Sequence, residues 1–169
     1  MDTPAGHGFN LHRFARDRAC PTPLLPMRLL LILLAGAITA SAQVDDERLL
    51  NAIGQVESGM NRNAVGDRGY SLGAYQQGYA AWLASCAQLR SEGLPVYARS
   101  TWRSPLIQDA VALANIRLIR ARLIANGYAS PTVAQIAVCW NMGTSGALRR
   151  GLPLTDYAAR VRNVYLTSP

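Results

Sequence analysis

Apolar residues recur at helical spacing in five blocks, and turn-forming residues separate the blocks. The first opens on Asp45-Asp46-Glu47, acids suited to the positive end of a helix dipole. It continues through Leu49, Leu50, Ile53 and Val56 and stops at Gly59. Asn61 to Gln76 then breaks the period. Gly66-Asp67 and Gly69 are turn signals, so a loop or small hairpin is expected there. Ala80 to Leu89 reads as a second helix closed by Gly93. Ser104-Pro105 supplies a cap and a first-turn proline for a long helix over Leu106 to Asn126, with Gly127 after its end. Its stripe of Ile107, Val111, Ala114 and Leu118 is expected to be core. Ser130-Pro131 repeats that start signal before Thr132 to Trp140, and Gly143 ends the block. Thr155 to Tyr165 is the last, with Ala158, Val161, Val164 and Tyr165 available to pack inward. The pattern predicts a mostly α, single domain with one irregular or hairpin segment beside the first helix, and no doubly wound sheet.

The N-terminal part changes the domain count. Met27-Arg28 is followed by the apolar run Leu29 to Ala35 and then by Ala40-Ser41-Ala42, which reads as a secretory signal peptide cleaved after Ala42. The run is short of the roughly 20 residues that a permanent span needs, and no Cys follows the small residues to take a lipid. Residues 1–26 lack apolar periodicity and read as an upstream extension, with Met27 as the start. The working domain is therefore expected to be 43–169, exported to a periplasm or beyond, with no stable membrane insertion after cleavage.

Residues 43–169 carry 13 Arg, 8 acidic residues and no Lys, a net charge of +5. Such a domain is drawn to acidic polymers, and on charge alone peptidoglycan and nucleic acid qualify equally, as does a merely soluble surface. Export and the scattered placement of the Arg residues argue against a nucleic-acid partner. Cys86 and Cys139 form an even pair in a chain bound for an oxidising compartment. They either close a disulfide, worth roughly 3–5 kcal/mol in the chain-entropy picture, or serve as two small buried hydrophobes. His7 and His12 both precede the domain, which excludes a His-based triad or His-ligated metal within it. No phosphate loop is present. Neither a metal nor a cofactor is expected.

Glu57 breaks the apolar pattern of the first helix. It follows Ile53 by four positions and Leu50 by seven, a spacing that aims its carboxyl at the edge of the core. A carboxyl group partly withdrawn from water there keeps its proton to higher pH, as a general acid for a glycosidic oxygen requires. A lone Glu in a last helical turn is ordinarily a solvated residue. Its neighbours change that weighting.

The run Glu57-Ser58-Gly59-Met60-Asn61-Arg62-Asn63-Ala64-Val65, continued by Gly66-Asp67-Arg68-Gly69-Tyr70-Ser71-Leu72-Gly73-Ala74-Tyr75-Gln76, resembles the signature of soluble lytic transglycosylases and goose-type lysozymes. That signature has a catalytic Glu followed by Ser-Gly, an Asn, Ala-Val and a Gly-x-x-Gln element. Ala137-Val138-Cys139-Trp140-Asn141-Met142-Gly143 is similar to the family's Ala-x-x-Tyr-Asn-x-Gly segment, with Trp140 where Tyr is usual. Tyr157, Val161 and Tyr165 resemble its closing Tyr-x-x-x-Val-x-x-x-Tyr helix. The matches span about residues 48–165, nearly the whole domain.

The resemblance implies a lysozyme-like fold acting on peptidoglycan glycan strands, with Glu57 as the catalytic acid and base. It implies substrate-binding roles for Ser58, Gln76 and Asn141, whose own residue types would serve equally as local caps. Tyr75, Trp140 and Tyr157 are candidates to stack on sugars, although aromatics at such spacing are more often core. Tyr157 matches the family position that faces the catalytic Glu. Asp67 fits the goose-type spacing for an acid that holds water, and is also an ordinary turn residue before Gly. The further family acid, two residues beyond the Gln, is replaced by Gly78. Lytic transglycosylation is the first expectation and inverting hydrolysis the second. A catalytically silent wall-binding module is the third.

Overall fold

The computed structural model describes residues 43–168. The expected upstream extension (1–26) and signal peptide (27–42) lie outside the described residues. Helix α1 (Asp46–Ser58) starts where the Asp45 carboxylate accepts the Glu47 and Arg48 backbone N–H groups, at 2.9 and 3.0 Å. It ends at Gly59, whose left-handed backbone (φ 63°) returns its N–H to the last helical turn. A two-stranded antiparallel hairpin follows, β1 (Val65–Gly66) and β2 (Ser71–Leu72), with Val65 opposite Leu72 and Gly66 opposite Ser71.

Then come α2 (Tyr79–Ser91), α3 (Pro105–Ala125), α4 (Val133–Met142), α5 (Thr144–Arg149) and α6 (Asp156–Thr167). The described residues are thus mostly helical, as the periodicity predicts. Among them, no helix is long and apolar enough to cross a membrane.

Four helices build the main core. Leu49, Leu50, Ala52 and Ile53 of α1 meet Ile116, Ile119 and Leu123 of α3, Ile136, Ala137 and Val138 of α4, and Ala158 and Val161 of α6. Each large side chain fully buried in this way contributes about 1.5–3 kcal/mol. A second cluster of Trp82, Cys86, Leu89, Trp102, Val111 and Ala114 joins α2 to the other side of α3. Helix α3 is therefore covered on two sides. Its buried band is broader than a single stripe: Val111 and Ala114 are buried as expected, Ile107 and Leu118 only partly, and Ala112, Ile116, Ile119 and Leu123 join them.

Three local expectations are corrected. Ser104 precedes α3 in extended backbone, but its side chain makes no capping bond. Helix α4 begins at Val133, one residue after the expected Thr132, and its cap is not Ser130. Thr132 caps it, with Thr132 Oγ1 accepting from Gln135 N at 3.3 Å and Gln135 Oε1 accepting from Thr132 N at 2.9 Å. Cys86 and Cys139 do not form the considered disulfide. Both are free and buried, in the second cluster and the main core respectively. The Cys86 thiol donates to the Tyr97 carbonyl at 3.3 Å, and burial pushes the Cys139 thiol up to about 11.

Candidate active site

Glu57 lies one residue from the end of α1, half-buried, on the edge of the core that Ile53 and Leu50 define. The Tyr157 hydroxyl of α6 donates to Glu57 Oε1 at 2.7 Å. Four influences act on this carboxyl besides that bond. Burial is the largest and raises its pKa; the Tyr157 hydrogen bond and then Trp140 favour the anion; the charge of Asp67 raises the pKa and that of Arg160 lowers it. The net direction is upward. Tyr157 is displaced upward as well, by burial and by the neighbouring Glu57, so its hydroxyl remains a proton-bearing donor. Since Tyr157 donates to Oε1, a proton on Glu57 resides on the other oxygen, Oε2.

The carboxyl thus gathers Tyr157 and Trp140, and within electrostatic reach the hairpin acid Asp67. Asp67 is exposed, in left-handed backbone (φ 47°), a conformation that Asp tolerates better than most residues. Its Oδ2 accepts from the Ser71 hydroxyl at 2.5 Å across the hairpin. Trp140 is partly buried against the main core.

The remaining sequence candidates are placed otherwise. Tyr75 is 3% exposed, so it offers no face for a sugar. Its hydroxyl donates to Asp109, and burial and that acid push its pKa up. The Ser58 hydroxyl is already engaged, donating to the Ala74 carbonyl at 2.8 Å. Gln76 turns its amide into the hairpin, with Nε2 donating to the Gly73 carbonyl at 2.8 Å and Oε1 lying over Gly66. Asn141 is exposed and makes no side-chain hydrogen bond to the described residues, neither to Glu57 nor as a cap. Ser58, Tyr75 and Gln76 therefore shape the segment beside Glu57.

That segment is held by residues the sequence reading did not single out. Gln108 of α3, 3% exposed, accepts from Ala74 N at 2.9 Å and donates to the Arg62 and Trp102 carbonyls at 2.8 and 2.7 Å. Asp109 beside it pairs with Arg62, whose guanidinium lies 5.3 Å from the Tyr75 ring centroid. The only sequence signal for these two was a polar pair inside an apolar helical block. Arg160, three residues after Tyr157 on α6, is exposed. Its spacing puts it on the Tyr157 face, a signal present in the sequence.

At Gly78, where a second acid would stand, a Cβ would come 2.4 Å from the Tyr70 ring. Two surface depressions, about 540 and 790 Å³, share no lining residue with the Glu57 cluster. Among the described residues no group of three His, Cys, Asp or Glu could hold a metal ion. No family model, curated protein or solved structure matches this chain.

Proposed function

We propose that this protein is a lytic transglycosylase with a lysozyme-like fold, cleaving the MurNAc-β-1,4-GlcNAc bond of peptidoglycan outside the cytoplasm. The observation that carries this reading is the Glu57 carboxyl, held protonated toward higher pH by burial and fixed by the Tyr157 hydroxyl at 2.7 Å. In the first step Glu57 Oε2 gives its proton to the glycosidic oxygen, and the bond from that oxygen to MurNAc C1 breaks, releasing GlcNAc with a free 4-hydroxyl. Glu57 is then a carboxylate. Tyr157 and Arg160 both favour that form, and a hydrogen bond to an ionised oxygen is about twice as strong as one to a neutral group. In the second step the carboxylate takes the proton of the MurNAc 6-hydroxyl while O6 bonds to C1. A 1,6-anhydro ring forms and Glu57 regains its proton. No water is consumed.

A second reading, inverting hydrolysis of the goose-lysozyme kind, draws on Asp67. Its carboxylate is exposed and its charge is felt at Glu57. It would activate water on the far face of the sugar, and such pairs stand about 6.5–9.5 Å apart. The Tyr70 ring over Gly78 favours the first reading, because it occupies the position of the further acid. The test is digestion of purified sacculi followed by mass spectrometry. Anhydro-muramyl ends are expected from the wild-type chain and no fragments from Glu57→Gln. Reducing ends would support hydrolysis. Wall binding without fragments from the wild type would reduce the chain to a binding module.

A further inference from the structure

Two tyrosines outside the Glu57 cluster are more than half exposed: Tyr70 is 54% exposed and Tyr79 is 53% exposed. Neither stands on loose backbone. Tyr70 precedes β2, which bridges to Gln77 through Leu72, with N–H···O contacts of 3.4 and 3.2 Å. Tyr79 is the first residue of α2. Arg99 locks the two together. Its Nη2 donates to the Tyr70 carbonyl at 2.5 Å, its Nη1 donates to the Gln77 carbonyl at 3.3 Å, and its guanidinium carbon lies 5.7 Å from the Tyr79 ring centroid. Between the tyrosines lies Gly78, close enough to the Tyr70 ring that no side chain fits without moving it.

We infer that Tyr70 and Tyr79, braced by Arg99 around Gly78, form a sugar-stacking ledge that carries a glycan strand past the hairpin beyond the reacting bond. A pyranose ring offers a face of C–H groups and an edge of hydroxyls. Tyr offers a matching π face and a hydroxyl at its tip. Tyr also has few side-chain torsions to freeze, so a braced pair loses little entropy on binding. The ledge adjoins the Asp67 end of the hairpin, because Tyr70 is three residues from Asp67 on the same turn, and Ser71 beside it holds the Asp67 carboxylate, whose charge is felt at Glu57. The absence of an acid at Gly78 is on this account a replacement: the room beside the hairpin holds an aromatic ring. The choice of ligand rests on the glycan-cleaving reading above.

Isothermal titration in a Glu57→Gln background tests the ledge without turnover, using β-1,4-linked GlcNAc disaccharide and hexasaccharide as probes. Tyr79→Ala and Tyr70→Ala are each expected to weaken the hexasaccharide by roughly three- to tenfold while leaving the disaccharide Kd unchanged. Tyr79→Leu keeps the bulk without the π face and is expected to lose as much as Tyr79→Ala, which guards against a folding defect in the smaller variants. Equal hexasaccharide affinity in all four chains overturns the proposal. So does an equal loss for both sugars, and so does a hexasaccharide that fails to bind. Sacculus digestion by the wild type is read separately. Fragments together with unchanged Kd values remove the ledge alone; tyrosine-dependent binding without fragments removes the cleavage reading alone.

Discussion

Gln108→Leu is the substitution that most severely tests how the active-site segment is held. Leu matches Gln in bulk, so packing is largely kept and the polar partners are what change. Three of them lose their bond: the Ala74 N–H and the Trp102 carbonyl, both in buried contacts, and the part-buried Arg62 carbonyl. A buried group left without a partner costs about 1–3 kcal/mol, and a part-buried one, which water can reach, about 0.5–1.5 kcal/mol. The expected loss is about 3–5 kcal/mol, a large share of the 5–15 kcal/mol typical of a domain. Urea unfolding followed by far-UV circular dichroism measures it, with an unchanged denaturant slope confirming a like-for-like comparison. The damage should reach the chemistry too, because Ala74 is also the acceptor for Ser58 beside Glu57. The folded fraction of the variant is expected to cleave more slowly than the wild type. A loss below about 1 kcal/mol would refute the reasoning, since it would mean that water or a local shift satisfies all three groups.

Glu57→Gln is expected to be more stable than the wild type at neutral pH. The folded pKa of Glu57 is raised, chiefly by burial, so its contribution is complete only below the unfolded Glu value of about 4.3 and is lost as pH rises through the folded value. Gln keeps an acceptor for Tyr157 and carries no such loss. The stability difference should therefore grow with pH and vanish in acid; thermal melts across pH check it, and a flat difference contradicts it. Asp67→Asn removes a charge that pushes Glu57 upward, so on the proposed mechanism, in which Glu57 acts first as an acid, the alkaline limb of cleavage should move to lower pH. Its rate at the optimum should stay within about threefold, whereas a loss of about 100-fold or more, the range for a missing general base, would favour hydrolysis.

Most of the fold is legible in the sequence because caps and periodicity agree: Asp45 and Gly59 bound α1, and Thr155 and Val161 identify α6. The Thr132-x-x-Gln135 box was also there to be read and locates the start of α4 better than Ser130-Pro131. Helix α5 is not legible. It has six residues and no apolar stripe, burying only Thr144 and Ala147, and it follows a glycine that signals a stop. The pairing of Glu57 with Tyr157 spans 100 positions and comes from the motif pattern, not from periodicity. That pattern supplies neighbours in the chain without their directions. Tyr75 turns inward because Asp109, on a distant helix, accepts its hydroxyl, and Gln76 turns inward because its amide completes the hairpin. Tyr70 and Tyr79 are brought to one side of the hairpin by a residue equally remote in the chain, Arg99, which bonds the Tyr70 carbonyl and lies over the Tyr79 ring.

The most direct test of the central claim is the mass of the sugar ends released from sacculi by the wild-type chain and by Glu57→Gln, assayed with matched circular dichroism spectra. Anhydro-muramyl ends are expected from the wild type and none from the variant. Undiminished release by a correctly folded Glu57→Gln chain would contradict that claim.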